Sequence, residues 1–209
     1  MKVAIPKERR PGETRVASSP EVVKKLVGLG FSLVVEKGAG AGASYTDAAF
    51  QEAGAALADD EASALRDADI VVKVQRPLPE EVKLMKKGAI LIANLAALTN
   101  KDEVKGYADT GLVTFAMELV PRISRAQSMD VLSSQSNLAG YKAVLDAASE
   151  YTRALPMMMT AAGTVPPAKV FIMGVGVAGL QTIATAKRMG AVVTANDVRP
   201  AVRSEEHTS

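Results

Sequence analysis

The stretch Ala168–Asp197, AKVFIMGVGVAGLQTIATAKRMGAVVTAND, restricts the fold of this chain more than any other. An apolar run, Val170–Met173, leads into Gly174, Gly176 and Gly179, spaced G-x-G-x-x-G. Leu180, Ile183, Ala184 and Lys187 then recur at i, i+3, i+4 and i+7, which is the period of a helix. Gly190 ends the helix, Ala191–Thr194 is a second apolar run, and Asp197 closes the unit. The same three glycines also occur in packing turns of other α/β units. The strand before, the helix after and the acid beyond favour a dinucleotide-binding unit.

Each position in that unit has a physical reason. Gly174 permits a tight strand-to-helix turn, Gly176 leaves the backbone open to a pyrophosphate, and Gly179 lets the helix lie close to the strand. Val175, Val177 and Ala178 fill the intervening positions, and the helix N-terminus offers unpaired N–H groups to phosphates. A carboxylate at Asp197 accepts ribose hydroxyls and repels a 2′-phosphate, which favours NAD(H) over NADP(H).

Upstream, short apolar runs alternate with helical segments. Strands are expected at Lys2–Ile5, Phe31–Glu36, Ala55–Leu57, Ile70–Val74, Ala89–Ala93 and Val113–Ala116. Helices are expected after Ser19 and over Asp47–Ala53, Glu61–Arg66, Pro79–Met85 and Asn100–Ala108. Val120–Gln135 reads as a long polar loop, and Asn137–Ala154 as one helix with Leu138, Tyr141, Val144, Leu145 and Ala148 on its apolar stripe. MMMTAAGTVPP reads as a linker whose methionines fill a core or line a hinge. The alternation predicts an α/β fold of two Rossmann-like, doubly wound parallel-sheet domains. Only two strands follow Pro167, so the second domain is expected to be truncated. The expected divisions are an N-terminal domain over 1–136, a linking helix and loop over 137–166, the start of a nucleotide-binding domain over 167–202, and a tail over 203–209. The tail, RSEEHTS, matches the translation of a common sequencing adapter and reads as non-native; the sole histidine, His207, lies in it and is given no role.

Totals exclude several classes. At 209 residues and 48% hydrophobic, the chain is large enough for a sizeable core. The net charge is +2 with bases and acids intermixed, so nucleic-acid binding is not expected. Without cysteine there is no disulfide or thiol chemistry, and no metal site is expected. The N-terminus MKVAIPKERR has no apolar core of a secretory signal. Ala89–Leu98 and Pro156–Val165 are too short or too Pro-rich to span a bilayer.

The segment PRISRAQSMDVLSSQSNLAG, Pro121–Gly140, is the most unusual. Arg122 and Asp130 can pair to hold its shape, Gln127 offers a donor and an acceptor to a carboxamide or ribose, and Ser133 adds a hydroxyl. On spacing alone, an ordinary solvated salt bridge accounts for the pair equally well.

PKERRPGETRVA, KVQRP, PRISRAQSMDVLSSQSNLAGY, TAAGTVPPAKV and GVGVAGLQTIATAKRMGA together resemble the NAD(H)-binding first domain, or alpha subunit, of proton-translocating NAD(P) transhydrogenase. That family belongs to a superfamily with alanine dehydrogenase. The resemblance runs over about Met1–Val202. It implies that Arg122, Gln127 and Asp130, with Ser133 behind, position a dihydronicotinamide. It also implies that Gly174–Gly179 hold the diphosphate and that Asp197, followed by Val198 and Arg199, holds the adenosine ribose. The implied reaction is hydride transfer from NADH to NADP⁺ on a separate NADP(H)-binding domain, driven by proton passage through a membrane proton-channel subunit. A homodimer through this domain and a place on the cytoplasmic side of the inner membrane are implied as well. Such a transfer needs two rings at near-attack distance and no general base.

Two other readings remain open. An alanine dehydrogenase grips its amino acid with an arginine and a lysine, which match Arg15 and Lys73, and uses a histidine where this chain has Asn94. Asparagine has no group titrating near neutral pH and cannot serve as the base. A non-catalytic NAD-binding fragment is the third reading. The truncated chain alone is expected to bind NADH weakly and to have low stability.

Overall fold

The computed structural model describes residues 1–199, so the tail Arg203–Ser209, including His207, lies outside the described residues. The chain divides into two compact units, Met1–Met129 and Asp130–Ser209.

The first unit is built on six parallel strands, β1 (Lys2–Ile5), β2 (Ser32–Glu36), β3 (Ala56–Ala58), β4 (Ile70–Gln75), β5 (Ile90–Asn94) and β6 (Val113–Ala116). Their order across the sheet is β3-β2-β1-β4-β5-β6. The chain starts in the middle, winds outward to β3, then returns to pair β4 with β1, leaving a reversal of strand order between those two. Five helices connect the strands: α1 (Pro20–Gly28), α2 (Asp47–Glu52), α3 (Glu61–Leu65), α4 (Pro79–Leu84) and α5 (Lys101–Asp109).

The two faces of the sheet bury separate cores. Successive strand residues point to opposite faces. Val3 and Ile5 of β1 join Val23 of α1 and Phe50 of α2 in one cluster. Ala4 joins Leu65, Val82 and Tyr107, from α3, α4 and α5, in the other. Burial on both faces explains why these strands read as continuous apolar runs. Caps define the helix starts: the Ser19 side chain accepts the Val22 N–H and Asp60 accepts the Ser63 N–H.

In the second unit, α6 (Val131–Glu150) precedes a short antiparallel hairpin, β7 (Met158–Thr160) with β8 (Gly163–Val165). β9 (Lys169–Met173), α7 (Val177–Arg188) and β10 (Val192–Asn196) then form a parallel βαβ unit. Three expectations are corrected here. The polar stretch Val120–Gln135 is not a loop throughout, because a 3-10 turn covers Ser124–Met129 and α6 begins at Val131, capped by Asp130. The MMMTAAGTVPP segment carries the hairpin, and its methionines Met157, Met158 and Met159 are exposed rather than core filler. On α6 the buried residues are Gly140 and Val144, whereas Leu138 and Tyr141 stand exposed.

Candidate functional site

The turn between β9 and α7 is shaped by its glycines. Gly174 has φ +93°, in the left-handed region, and its N–H donates to Asn196 O at 2.8 Å, tying the turn to the end of β10. Gly179 packs so tightly that a β-carbon there would lie 1.9 Å from Gly174 O. At Gly176 the space is open among the described residues: a β-carbon would meet nothing nearer than an Arg199 guanidinium nitrogen at 3.8 Å. Gly176 is the N-cap of α7 and supplies no side-chain cap, so the first-turn N–H groups have no intrahelical partner and face outward from the helix end. Backbone N–H donors at a half-buried helix N-terminus are of the chemistry that receives an anion such as a diphosphate.

Asp197 supports that turn. Its carboxylate accepts the Val175 N–H at 2.7 Å, and Arg199 donates to it through its backbone N–H at 2.8 Å, Nε at 3.0 Å and an Nη at 2.9 Å. The Arg199 guanidinium, then the Val175 N–H, hold this carboxyl well below the usual carboxylate range. The sequence signals the Asp197–Arg199 pair only through a D-x-R spacing at a strand end, and the pair is not among the expectations above. Val198 is fully exposed beside them.

The Pro121–Gly140 residues fall in both units. Arg122 and Gln127 belong to the first unit, and both side chains are exposed. Asp130 and Ser133 open the second. The Asp130 carboxylate caps α6, accepting the Ser133 backbone N–H at 2.9 Å and the Ser133 hydroxyl at 2.6 Å. The expected Arg122–Asp130 pair is therefore corrected: Arg122 enters no ion pair among the described residues, and Asp130 is turned into its own helix. The reason is local, since a carboxylate at an N-cap satisfies an orphan N–H two or three residues on. Ser133 has given its only proton to Asp130, so its oxygen is left as an acceptor, suited to the N–H of a carboxamide.

At the β1/β4 reversal, Arg15 and Lys73 are both engaged. Glu13 accepts from Arg15 Nε at 2.7 Å and from an Arg15 Nη at 2.6 Å, and this guanidinium brings the Glu13 carboxyl down to about 2. The Lys73 side chain is 1% exposed, its ammonium 2.6 Å from Glu81 and 3.5 Å from Glu8. The Glu8 carboxylate also accepts the Val74 and Gln75 N–H groups, while burial raises its pKa. Asn94 donates to Val74 O at 3.0 Å and presents no proton acceptor that titrates. The ion pairs of Arg15 and Lys73 were not legible in sequence: the acid beside Arg15 is one of several nearby, and the partners of Lys73 lie on other segments.

A glycine turn at the head of a βαβ unit, in one chain with a six-stranded parallel sheet of doubly wound order, defines an α/β protein of the nucleotide-binding class. Two family models match: "Alanine dehydrogenase/PNT, N-terminal domain" over residues 4–139 and "Alanine dehydrogenase/PNT, C-terminal domain" over residues 143–209. The chain belongs to the alanine dehydrogenase/PNT family. It is 64% identical to the first of the NAD(P) transhydrogenase alpha-subunit polypeptides of Rhodospirillum rubrum over 210 residues, covering 98% of this chain and 55% of that polypeptide. The corresponding polypeptide of Rickettsia prowazekii is 45% identical, with the same coverage. Among solved structures, the transhydrogenase from Sinorhizobium meliloti superposes with TM-score 0.94 at 57% identity, over 98% of this chain and 59% of that one. An L-alanine dehydrogenase superposes with TM-score 0.84 at 30% identity, over 100% and 58% of the two chains. The chain thus spans about half the length of the relatives it matches.

Proposed function

We propose that this chain is the NAD(H)-binding portion of a proton-translocating NAD(P) transhydrogenase. The observation that carries the proposal is the open cradle at Gly174–Gly179, whose second residue is held by Asp197 at 2.7 Å. When bound, NADH supplies the hydride. The residues of this chain bind and orient it. The α7 N-terminus and Gly176 receive the diphosphate. Asp197 accepts ribose hydroxyls once Arg199 turns aside, and Val198 and Arg199 border that pocket. Ser133 accepts from the carboxamide, and Arg122, Gln127 and Asp130 hold the nicotinamide end. The NADP(H)-binding domain, the membrane proton-channel subunit, the homodimer and a cytoplasmic face belong to this reading. Its support is the likeness to transhydrogenase alpha subunits along nearly the whole chain.

Alanine dehydrogenase is disfavoured by the first unit. Lys73 is buried between two carboxylates, Arg15 is bound by Glu13, and Asn94 cannot take a proton. The deciding experiment mixes the full-length subunit carrying this chain with an NADP-binding partner domain and NADH. Hydride transfer between the nucleotides is expected. Failure to transfer, with NADH instead consumed by pyruvate and ammonium, would overturn the proposal.

A further inference from the structure

The contact between α6 and α7 is closer than ordinary helix packing. A β-carbon at Gly140 would lie 2.1 Å from Ala178 O, 2.9 Å from Ala178 C and 3.1 Å from Ala178 Cα. Ala178 is inside the glycine turn, at the second helical position of α7. Its carbonyl is therefore in direct contact with the backbone of another helix, with no side chain between them. Thr182 fastens the contact, its hydroxyl lying 2.8 Å from Ala178 O and 3.2 Å from Gly140 O.

The turn is confined from the other side too, where Gly179 is pressed against Gly174 O. The Ala178–Gly179 peptide is thus held between the end of β9 and the backbone of α6. A methyl group at position 140 cannot be accommodated by a side-chain rotation, because what it meets is backbone. Either α6 moves outward or the first turn of α7 tilts, and the N–H groups of that turn are the anion donors. The geometry points to Gly140 as a positioning residue for the diphosphate: a fourth glycine of the cofactor turn, supplied from α6 rather than from the fingerprint. The same helix carries Asp130 and Ser133 at its N-terminus, with Ser133 about 10 Å along the axis from Gly140. The inference rests on the proposed cofactor reading.

The test uses the full-length subunit and ADP-ribose as a probe of the diphosphate turn, with calorimetry for affinity and steady-state transfer with the partner domain for KM and kcat. Wild type should bind ADP-ribose. Gly140→Ala should lose on the order of tenfold or more in ADP-ribose affinity, with the loss in KM for NADH exceeding that in kcat. Ala139→Ser, at an exposed neighbouring position, should bind as wild type does. Thr182→Val keeps the shape of the contact without its hydroxyl, and should lose roughly fivefold. That variant gives the answer if Gly140→Ala does not fold. A Gly140→Ala protein that melts lower but binds ADP-ribose normally would make Gly140 a packing residue only and overturn the inference. So would a Thr182→Val protein of unchanged affinity where Gly140→Ala is unfolded. A wild type that does not bind ADP-ribose would instead bring down the cofactor reading, and this inference with it.

Discussion

Asp197 joins two roles in one carboxylate. Through Val175 it holds the second residue of the glycine turn, and through Arg199 its charge is paired. In the proposed cofactor reading, repulsion of a 2′-phosphate by Asp197 requires Arg199 to release it. The two roles separate by substitution. Asp197→Asn retains an acceptor for the Val175 N–H but loses the charge, whereas Asp197→Ala loses both. Both variants should lose discrimination between NADH and NADPH, measured as the ratio of dissociation constants. The lost preference should be roughly tenfold to a hundredfold, the range of a hydrogen bond to a charged group. Asp197→Ala should in addition weaken ADP-ribose. An unchanged ratio in both variants removes Asp197 from the ribose site.

α6 owes its start to one side chain. Asp130 accepts the Ser133 N–H and hydroxyl, so Asp130→Ala should destabilise the second unit by about 1 kcal/mol, seen as a lower melting temperature. Asp130→Asn still caps and should melt close to wild type. If Asp130 also orients the nicotinamide, the Asn variant should slow transfer while remaining folded; transfer at the wild-type rate would leave Asp130 a cap alone. This helix also marks the limit of what the sequence discloses. The strands of the large sheet are legible because burial on both faces writes them as apolar runs, and the glycine fingerprint is legible because its spacing is local. The start of α6 is hidden in a serine-rich polar stretch, where composition argues for loop. Its inward row has Gly140 and Val144 buried between the half-buried Ser136 and Ala148, while the more apolar Leu138 and Tyr141 are exposed. An interior glycine reads as a weak point in a helix, and only the position of Ala178 turns it into a contact. The three-residue strands of the hairpin are too short for periodicity to register.

The two units differ in how they are held together, and heat and pH should separate them. The first has a six-stranded sheet with a core on each face, whereas among the described residues the two-stranded β9–β10 sheet packs a core on one face only. On its other face Phe171, Met173 and Val192 are 60%, 85% and 51% exposed. In the isolated 209-residue chain the second unit should therefore melt first and bind a hydrophobic dye, and Phe171→Lys should reduce that binding. The first unit should carry the pH dependence. Glu61 is raised to about 6 from an ordinary 4.5, first by burial and then by the neighbouring Glu81 carboxyl; Arg9, with its Nε 3.3 Å from Glu61 Oε1, opposes the rise only in part. A carboxyl whose folded pKa is raised favours the folded state while protonated. Its contribution is complete below about 4.5 and is lost as pH rises through about 6. Glu8, also raised by burial, adds in the same direction, whereas Glu13, lowered to about 2, acts only at more acid pH. Scanning calorimetry from pH 4.5 to about 6 should move the upper transition downward. Glu61→Gln, which is uncharged throughout, should flatten that slope. A slope that survives the substitution would assign the titration to Glu8, whose carboxyl burial raises and whose partner Lys73 also binds the Glu81 that raises Glu61.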